Sequence, residues 1–154
     1  MIIKGPIGVF RDLIEAAIDL VTDVKVEMLP DGLSLKAVDA ANVAMVQLNI
    51  PATSFTEYEG NGEAIVIELG KFQEYLGAGK KDSTVTLYRE DNKLVVEIDK
   101  KRFKLGLISP DAIKPFPKLP DMQFPCRVCV GGPEFVGSFQ AAEKVNDHVV
   151  LDYD

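Results

Sequence analysis

DAIKPFPKLPDMQFPCR, residues 111–127, divides the chain. Four of the nine prolines of the sequence fall in it: Pro115, Pro117, Pro120 and Pro125. Proline has no amide hydrogen and a fixed φ, so this run is neither helix interior nor central strand. It reads as an extended, semi-rigid, polyproline-like connector. It also carries Ile113, Phe116, Leu119, Met122 and Phe124, which a solvated linker does not need. Those side chains either lie down on their own domain or form one wall of a groove for a partner peptide. With the connector set at 110–126, residues 1–109 read as one complete domain and residues 127–154 as the start of another.

Before the connector, one pattern occurs twice. Residues 1–4 are a short apolar strand, broken by Gly5-Pro6. Residues 7–22 have helical period, with Phe10, Leu13, Ile14, Ala17, Leu20 and Val21 on one face and Arg11, Asp12, Glu15, Asp19 and Thr22 on the other. Alternating strands at 24–29 and 33–38 flank the turn Pro30-Asp31-Gly32. A third strand is expected at 43–50, and Pro51 opens a polar loop that runs to Gly62. The unit then recurs: a strand at 63–68, a helix at 69–76 stopped by Gly77-Ala78-Gly79, and strands at 84–89, 93–98 and 101–108. Residues 1–109 thus contain a β-α-β-β-β unit twice over. Two amphipathic helices laid on antiparallel sheet bury both apolar surfaces, which predicts an α+β domain. Past the connector the unit starts a third time. A strand is expected at 127–130, Gly132-Pro133 breaks it, Phe135, Phe139, Ala142 and Val145 make a helical face, and 148–153 is the next strand.

Composition narrows the function. The mixture, 47% hydrophobic and 27% charged, can bury a core. No apolar run reaches the length of a membrane span and the start lacks a signal-peptide pattern, so a soluble, cytoplasmic protein with no membrane partner is expected. A net charge of −7 argues against a nucleic-acid binder unless the basic residues are sorted onto one face. Cys126 and Cys129 have the spacing of a zinc half-site or a redox pair. On a strand, however, residues three apart face opposite ways and no second pair is present, so both thiols are expected to be small buried hydrophobes. The only histidine, His148, lacks neighbouring ligand types. Asp39 reads as capping the turn before Val43 through its backbone. No nucleophile elbow, phosphate loop or metal motif occurs, so no enzyme activity, cofactor or metal is expected.

LKAVDAANVAMVQLNIP at 35–51, SFTEYEG at 54–60, FKLGLI at 103–108 and LPDMQFP joined to FQAAEKVNDHVVL carry a further reading. In order and spacing they resemble the sliding clamps of the proliferating cell nuclear antigen family, in their archaeal form. The resemblance implies a DNA clamp fold with two helices per domain and a homotrimeric ring around duplex DNA. Such a ring is a processivity factor at the nucleoid. It tethers DNA polymerase, the clamp loader and other replication and repair proteins through short motif peptides, and has no active site. Its DNA-facing residues would be Arg11, Lys71, Lys80, Lys81 and Lys144. The peptide groove would be formed by Val38, Asn42, Val43 and Met45 on the sheet side and by Leu119, Pro120 and Phe124 on the connector side. On the same resemblance Phe103, Leu105 and Leu107 would meet the neighbouring subunit by edge pairing. Family members carry a second domain as large as the first, so the resemblance implies that this chain stops inside it and does not close a ring by itself. The alternative is a standalone clamp-like peptide-binding module that does not encircle DNA.

Overall fold

Alternating burial runs through residues 23–38: in both strands every second side chain points into a common core. The computed structural model describes residues 1–113 and 123–152. It falls into two compact units, Met1–Phe116 and Pro117–Asp154.

The first unit contains β1 (Ile2–Pro6), α1 (Ile7–Glu15), β2 (Asp23–Leu29), β3 (Gly32–Val38), β4 (Met45–Pro51), β5 (Glu57–Tyr58), β6 (Glu63–Glu68), α2 (Leu69–Leu76), β7 (Thr84–Glu90), β8 (Lys93–Ile98) and β9 (Lys101–Gly106). The strands form two sheets, ordered β5-β1-β7-β8-β9 and β4-β3-β2-β6, and every pairing is antiparallel. The two β-α-β-β-β units exchange their first strands. β1 leads the first unit but pairs with β7 of the second, and β6 leads the second but pairs with β2 of the first. Each sheet therefore combines three strands of one repeat with the leading strand of the other. The exchange ties both repeats into the one compact unit Met1–Phe116.

The core lies between the helices and the inner sheet faces. α1 contributes Ile7, Phe10, Leu13 and Ile14, and α2 contributes Leu69, Phe72 and Leu76. The rings of Phe10 and Phe72 meet edge-on at 6.5 Å and join the two helices. Each such side chain gains about 1.5–3 kcal/mol from leaving water. Gly32, at the β2–β3 turn, is required by space and conformation. Its φ is +151°, and a Cβ there would stand 2.1 Å from the carbonyl oxygen of Ile50 on β4.

Several boundaries differ from the sequence expectation. α1 stops at Glu15 rather than at 22: Ala17 and Leu20 donate to the carbonyls of Ile14 and Ala17, three residues back, tightening the chain toward β2. β9 ends at Gly106 rather than 108. The next residues leave its sheet, and Ile108 bridges to Val66 of β6, its N–H 3.1 Å from the Val66 carbonyl, so the chain crosses to the other sheet. The loop at 51–62 also has structure of its own. Phe55 is buried against Phe10 and stacks on Tyr58, whose hydroxyl donates to the Leu29 carbonyl at 2.7 Å, and β5 pairs with β1.

In the second unit α3 spans Gly132–Glu143. The strands expected at 127–130 and 148–153 are absent from the described residues of those segments. A strand is stable only with a ladder partner, and neither segment has one among the described residues. The apolar face of α3 stays open, with Phe135 and Phe139 40% and 36% exposed. Hollows of about 500 and 740 Å³ lie against that face.

Candidate functional site

The sheet-side residues of the expected groove gather at one end of the β3–β4 hairpin. Val38 and Met45 form its last rung, and both are half-buried. Their neighbours Ala37 and Leu35 point into the core, so this rung faces outward. Val43 lies outside the strand, because β4 begins at Met45. It is 85% exposed in the β3–β4 turn rather than sharing a strand face with Met45 or packing in a core. Asn42 sits in the same turn with φ 56°, the left-handed region that asparagine tolerates better than most residues.

Asp39 builds this turn, and its side chain, not only its backbone, does the work. Oδ1 accepts from the N–H groups of Val43 at 2.7 Å and Ala44 at 2.8 Å, and Oδ2 accepts from Ala41 at 3.3 Å. The Asp39 N–H donates to the Ala44 carbonyl at 3.1 Å, and Asn42 N–H to the Asp39 carbonyl at 3.0 Å. These amides, that of Ala44 foremost, hold the Asp39 carboxyl below the ordinary aspartate value, because they stabilise only its charged form. On the connector side Phe124 is 75% exposed in the second unit, while Leu119 and Pro120 lie outside the described residues.

The five expected DNA-facing cations divide by what they already hold. Arg11 Nη2 donates to the carbonyls of Leu76 at 3.0 Å and Gly79 at 3.1 Å, capping α2 from α1. Lys101 Nζ donates to the Ala78 carbonyl at 2.7 Å, so two cations satisfy the exposed carbonyl end of that helix. Lys71 pairs with Glu74 at 2.7 Å, and that hydrogen bond raises its pKa. Lys80 and Lys81 are exposed and have no carboxylate partner among the described residues. Their turn is set by buried Ser83, whose hydroxyl accepts from Lys80 N–H at 2.8 Å and bonds Asp99 at 2.9 Å. Lys144, just past α3, is also exposed. The helices' exposed surfaces carry Asp12, Glu15 and Glu74 as well, so the basic residues are not sorted cleanly.

β9 is the edge of its sheet, with no strand beyond it among the described residues, and its Lys104 carbonyl accepts from the Tyr75 hydroxyl at 3.3 Å. Of the expected interface residues, Leu105 is buried in the domain's own core, so it can offer a neighbour its backbone but not its side chain. Phe103 packs at the core margin and stacks on Tyr75 at 4.7 Å, and Leu107 is half-buried. On the outer face of this sheet Arg102 approaches Glu90 at 3.5 Å and Glu97 at 3.6 Å, and Lys104 pairs with Glu90, lowering that carboxyl's pKa.

The family model described as proliferating cell nuclear antigen, N-terminal domain, matches residues 6–105. This chain belongs to the proliferating cell nuclear antigen family. It is 40% identical over 143 residues to the DNA polymerase sliding clamp of Methanothrix thermoacetophila, covering 92% of this chain and 59% of the relative. Against the sliding clamp of Methanocella arvoryzae the identity is 36% over 145 residues, covering 93% and 59%. Among solved structures, the A. fulgidus PCNA bound to the C-terminal region of FEN-1 superposes with TM-score 0.89 at 28% identity, covering 95% of this chain and 60% of that one. PCNA from Thermococcus kodakaraensis gives TM-score 0.70 at 26% identity, covering 79% and 51%. The fold is that of a sliding clamp, α+β with antiparallel sheets, and the chain spans 59% of the length of the Methanothrix clamp.

Two readings of the second unit of this clamp-family chain change. Cys126 and Cys129 are exposed, not buried hydrophobes, and they do not sit on a strand, so strand alternation does not separate them. No group of three or more metal-ligating side chains occurs among the described residues. His148 is exposed, with its backbone N–H on the Asn146 side chain. No helix among those residues is long and apolar enough to cross a membrane. Sequence reasoning missed the carbonyl end of α2 as a cation site. The Gly77-Ala78-Gly79 stop was its visible signal, since a glycine stop marks where carbonyls lose their helical partners.

Proposed function

We propose that this chain acts as part of a DNA sliding clamp, a processivity factor whose ring encircles duplex DNA and tethers replication proteins. One observation carries the reading: two β-α-β-β-β units that exchange strands, in a chain whose family match runs across both. In a subunit of the relatives' full length, a homotrimer would close through the edge strand β9, with Phe103 and Leu107 beside it. Lys80, Lys81 and Lys144 would meet phosphate, with Arg11 and Lys71 held back by their own partners. Such contacts read no sequence, which suits a ring that slides. DNA polymerase, the clamp loader and other partners would dock short motif peptides on Val38, Asn42, Val43 and Met45, and the connector's proposed contributions are Leu119, Pro120 and Phe124. The chain would work by binding alone, without catalysis, at the nucleoid. A. fulgidus PCNA, bound to the C-terminal region of FEN-1, supports a peptide of this kind as the ligand.

Fluorescence anisotropy with a labelled FEN-1 C-terminal peptide tests the reading. The peptide should bind this chain, and Phe124→Ala should weaken it more than about tenfold, a loss of roughly 1.4 kcal/mol. Lys80→Ala with Lys81→Ala should leave peptide binding intact while flattening the salt dependence of duplex binding in a full-length ring. A peptide that ignores both Phe124→Ala and Val43→Asp is not held in this groove.

A further inference from the structure

We propose that Asp39 is the positioning residue of the partner-peptide site, an inference that rests on reading Val43 and Met45 as part of that site. Its carboxylate takes the N–H groups of Ala41, Val43 and Ala44, and its main chain closes the same turn onto Ala44 and Asn42. Residues 40–44 are all exposed, so hydrogen bonds rather than packing give this turn its shape. Within it Asn42 occupies the left-handed region and Val43 is 85% exposed. The turn presents the valine on a fixed scaffold, beside the outward rung Val38–Met45. An apolar peptide landing there meets amides that are already ordered, so binding loses less to conformational entropy. Asp39 acts through the backbone of Val43 and Ala44, without touching the peptide.

The mechanism has a kinetic signature. Without the carboxylate, only a fraction of molecules hold the turn, so the association rate falls by that fraction while the bound complex dissociates as before. Asp39→Ala should weaken the FEN-1 C-terminal peptide about tenfold, the loss expected if about one molecule in ten keeps the turn. The drop should lie in the association rate, with faster amide exchange at Val43 and Ala44 and unchanged exchange in β3. Asp39→Asn retains Oδ1 as an acceptor for Val43 and Ala44 and should stay within about threefold of the parent. Asp39→Ser, with one smaller acceptor, should fall between and replaces the alanine variant if that one does not fold. Unchanged affinity in Asp39→Ala despite faster exchange overturns the proposal, as does a loss confined to the dissociation rate, which marks a direct contact. An asparagine variant as weak as the alanine one also overturns it. If the parent chain itself does not bind the peptide, the groove reading falls too. If Val43→Asp abolishes binding while Asp39→Ala does not alter it, the groove stands and the positioning role alone is lost.

Discussion

Arg11→Ala separates a structural cation from a DNA contact. In the structure one guanidinium nitrogen of Arg11 bonds two carbonyls, Leu76 O and Gly79 O, at the end of α2. Hydrogen bonds to a charged group contribute about 1.5–3 kcal/mol, and a cation at a helix C-terminus about 0.3–1 kcal/mol. Arg11 is half-buried, so screening favours the low end, and the expected loss is about 2 kcal/mol. At roughly 4 °C per kcal/mol for a domain near this size, Arg11→Ala should melt about 8 °C lower. The chain has two units, so the transition is followed at the amides of α1 and α2. Arg11→Lys keeps the charge but not the planar nitrogen that reaches both carbonyls, and about half of the loss should remain. A phosphate contact predicts the opposite pattern: melting unchanged in both variants, with the salt slope of duplex binding reduced by about one in the alanine variant only. If Arg11→Ala melts within a degree of the parent, the capping argument is wrong.

Two further outcomes follow from the core and from the Asp39 turn. Phe72→Ala removes a fully buried ring that meets Phe10 edge-on. It should cost about 3–5 kcal/mol in urea unfolding, with Phe72→Leu costing less than half of that. The Asp39 carboxyl titrates below its ordinary value of 3.8, so its contribution to the turn is complete above that value and is lost as pH falls through the lower folded value. Amide shifts of Val43 and Ala44 should therefore hold steady down to about pH 4 and move together only in stronger acid, a step that Asp39→Asn should abolish.

Much of this architecture can be read from residue spacing. Alternation in 24–29 and 33–38 and helical period in 7–22 report which face is buried, and the structure buries Phe10, Leu13, Ile14 and Ala17 of that face although the helix itself stops at Glu15. Alternation says nothing about which strand lies alongside, so the pairing of β1 with β7 and of β6 with β2 is invisible in it. The same blindness misplaced Val43. V-A-M-V continues the period of β4 backwards, but the Asp39 carboxylate captures those amides before any strand can. Phe55 and Tyr58 were the readable sign that the 51–62 loop is anchored, since two aromatics in a polar stretch seek a core. The capping of α2 by Arg11 joins residues 65 and 68 apart in sequence, a separation no local pattern reports. Positions 42–45 stood out as a site only through family resemblance. Chemically they are one asparagine and a few aliphatic side chains.

The fate of the cations bears on the proposal that a chain of net charge −7 meets DNA. Arg11 and Lys101 spend their charge on the carbonyl end of α2, and Lys71 on Glu74. What remains free in the first unit, among the nominated residues, is the pair Lys80 and Lys81, on a turn fixed from below by Ser83 and Asp99. Both side chains are exposed on that turn. A cation bound to a helix end cannot follow a moving phosphate, whereas a flexible ammonium can exchange one phosphate for the next at little cost. A tight, sorted basic face would favour fixed registers and hinder sliding, while Asp12, Glu15 and Glu74 on the helices dilute the field and keep each contact weak. Retention on DNA would then come from ring closure through β9, not from charge. On the proposal above, the Asp39 turn would serve the opposite need: one peptide held in one place, where preorganisation rather than mobility lowers the cost of binding.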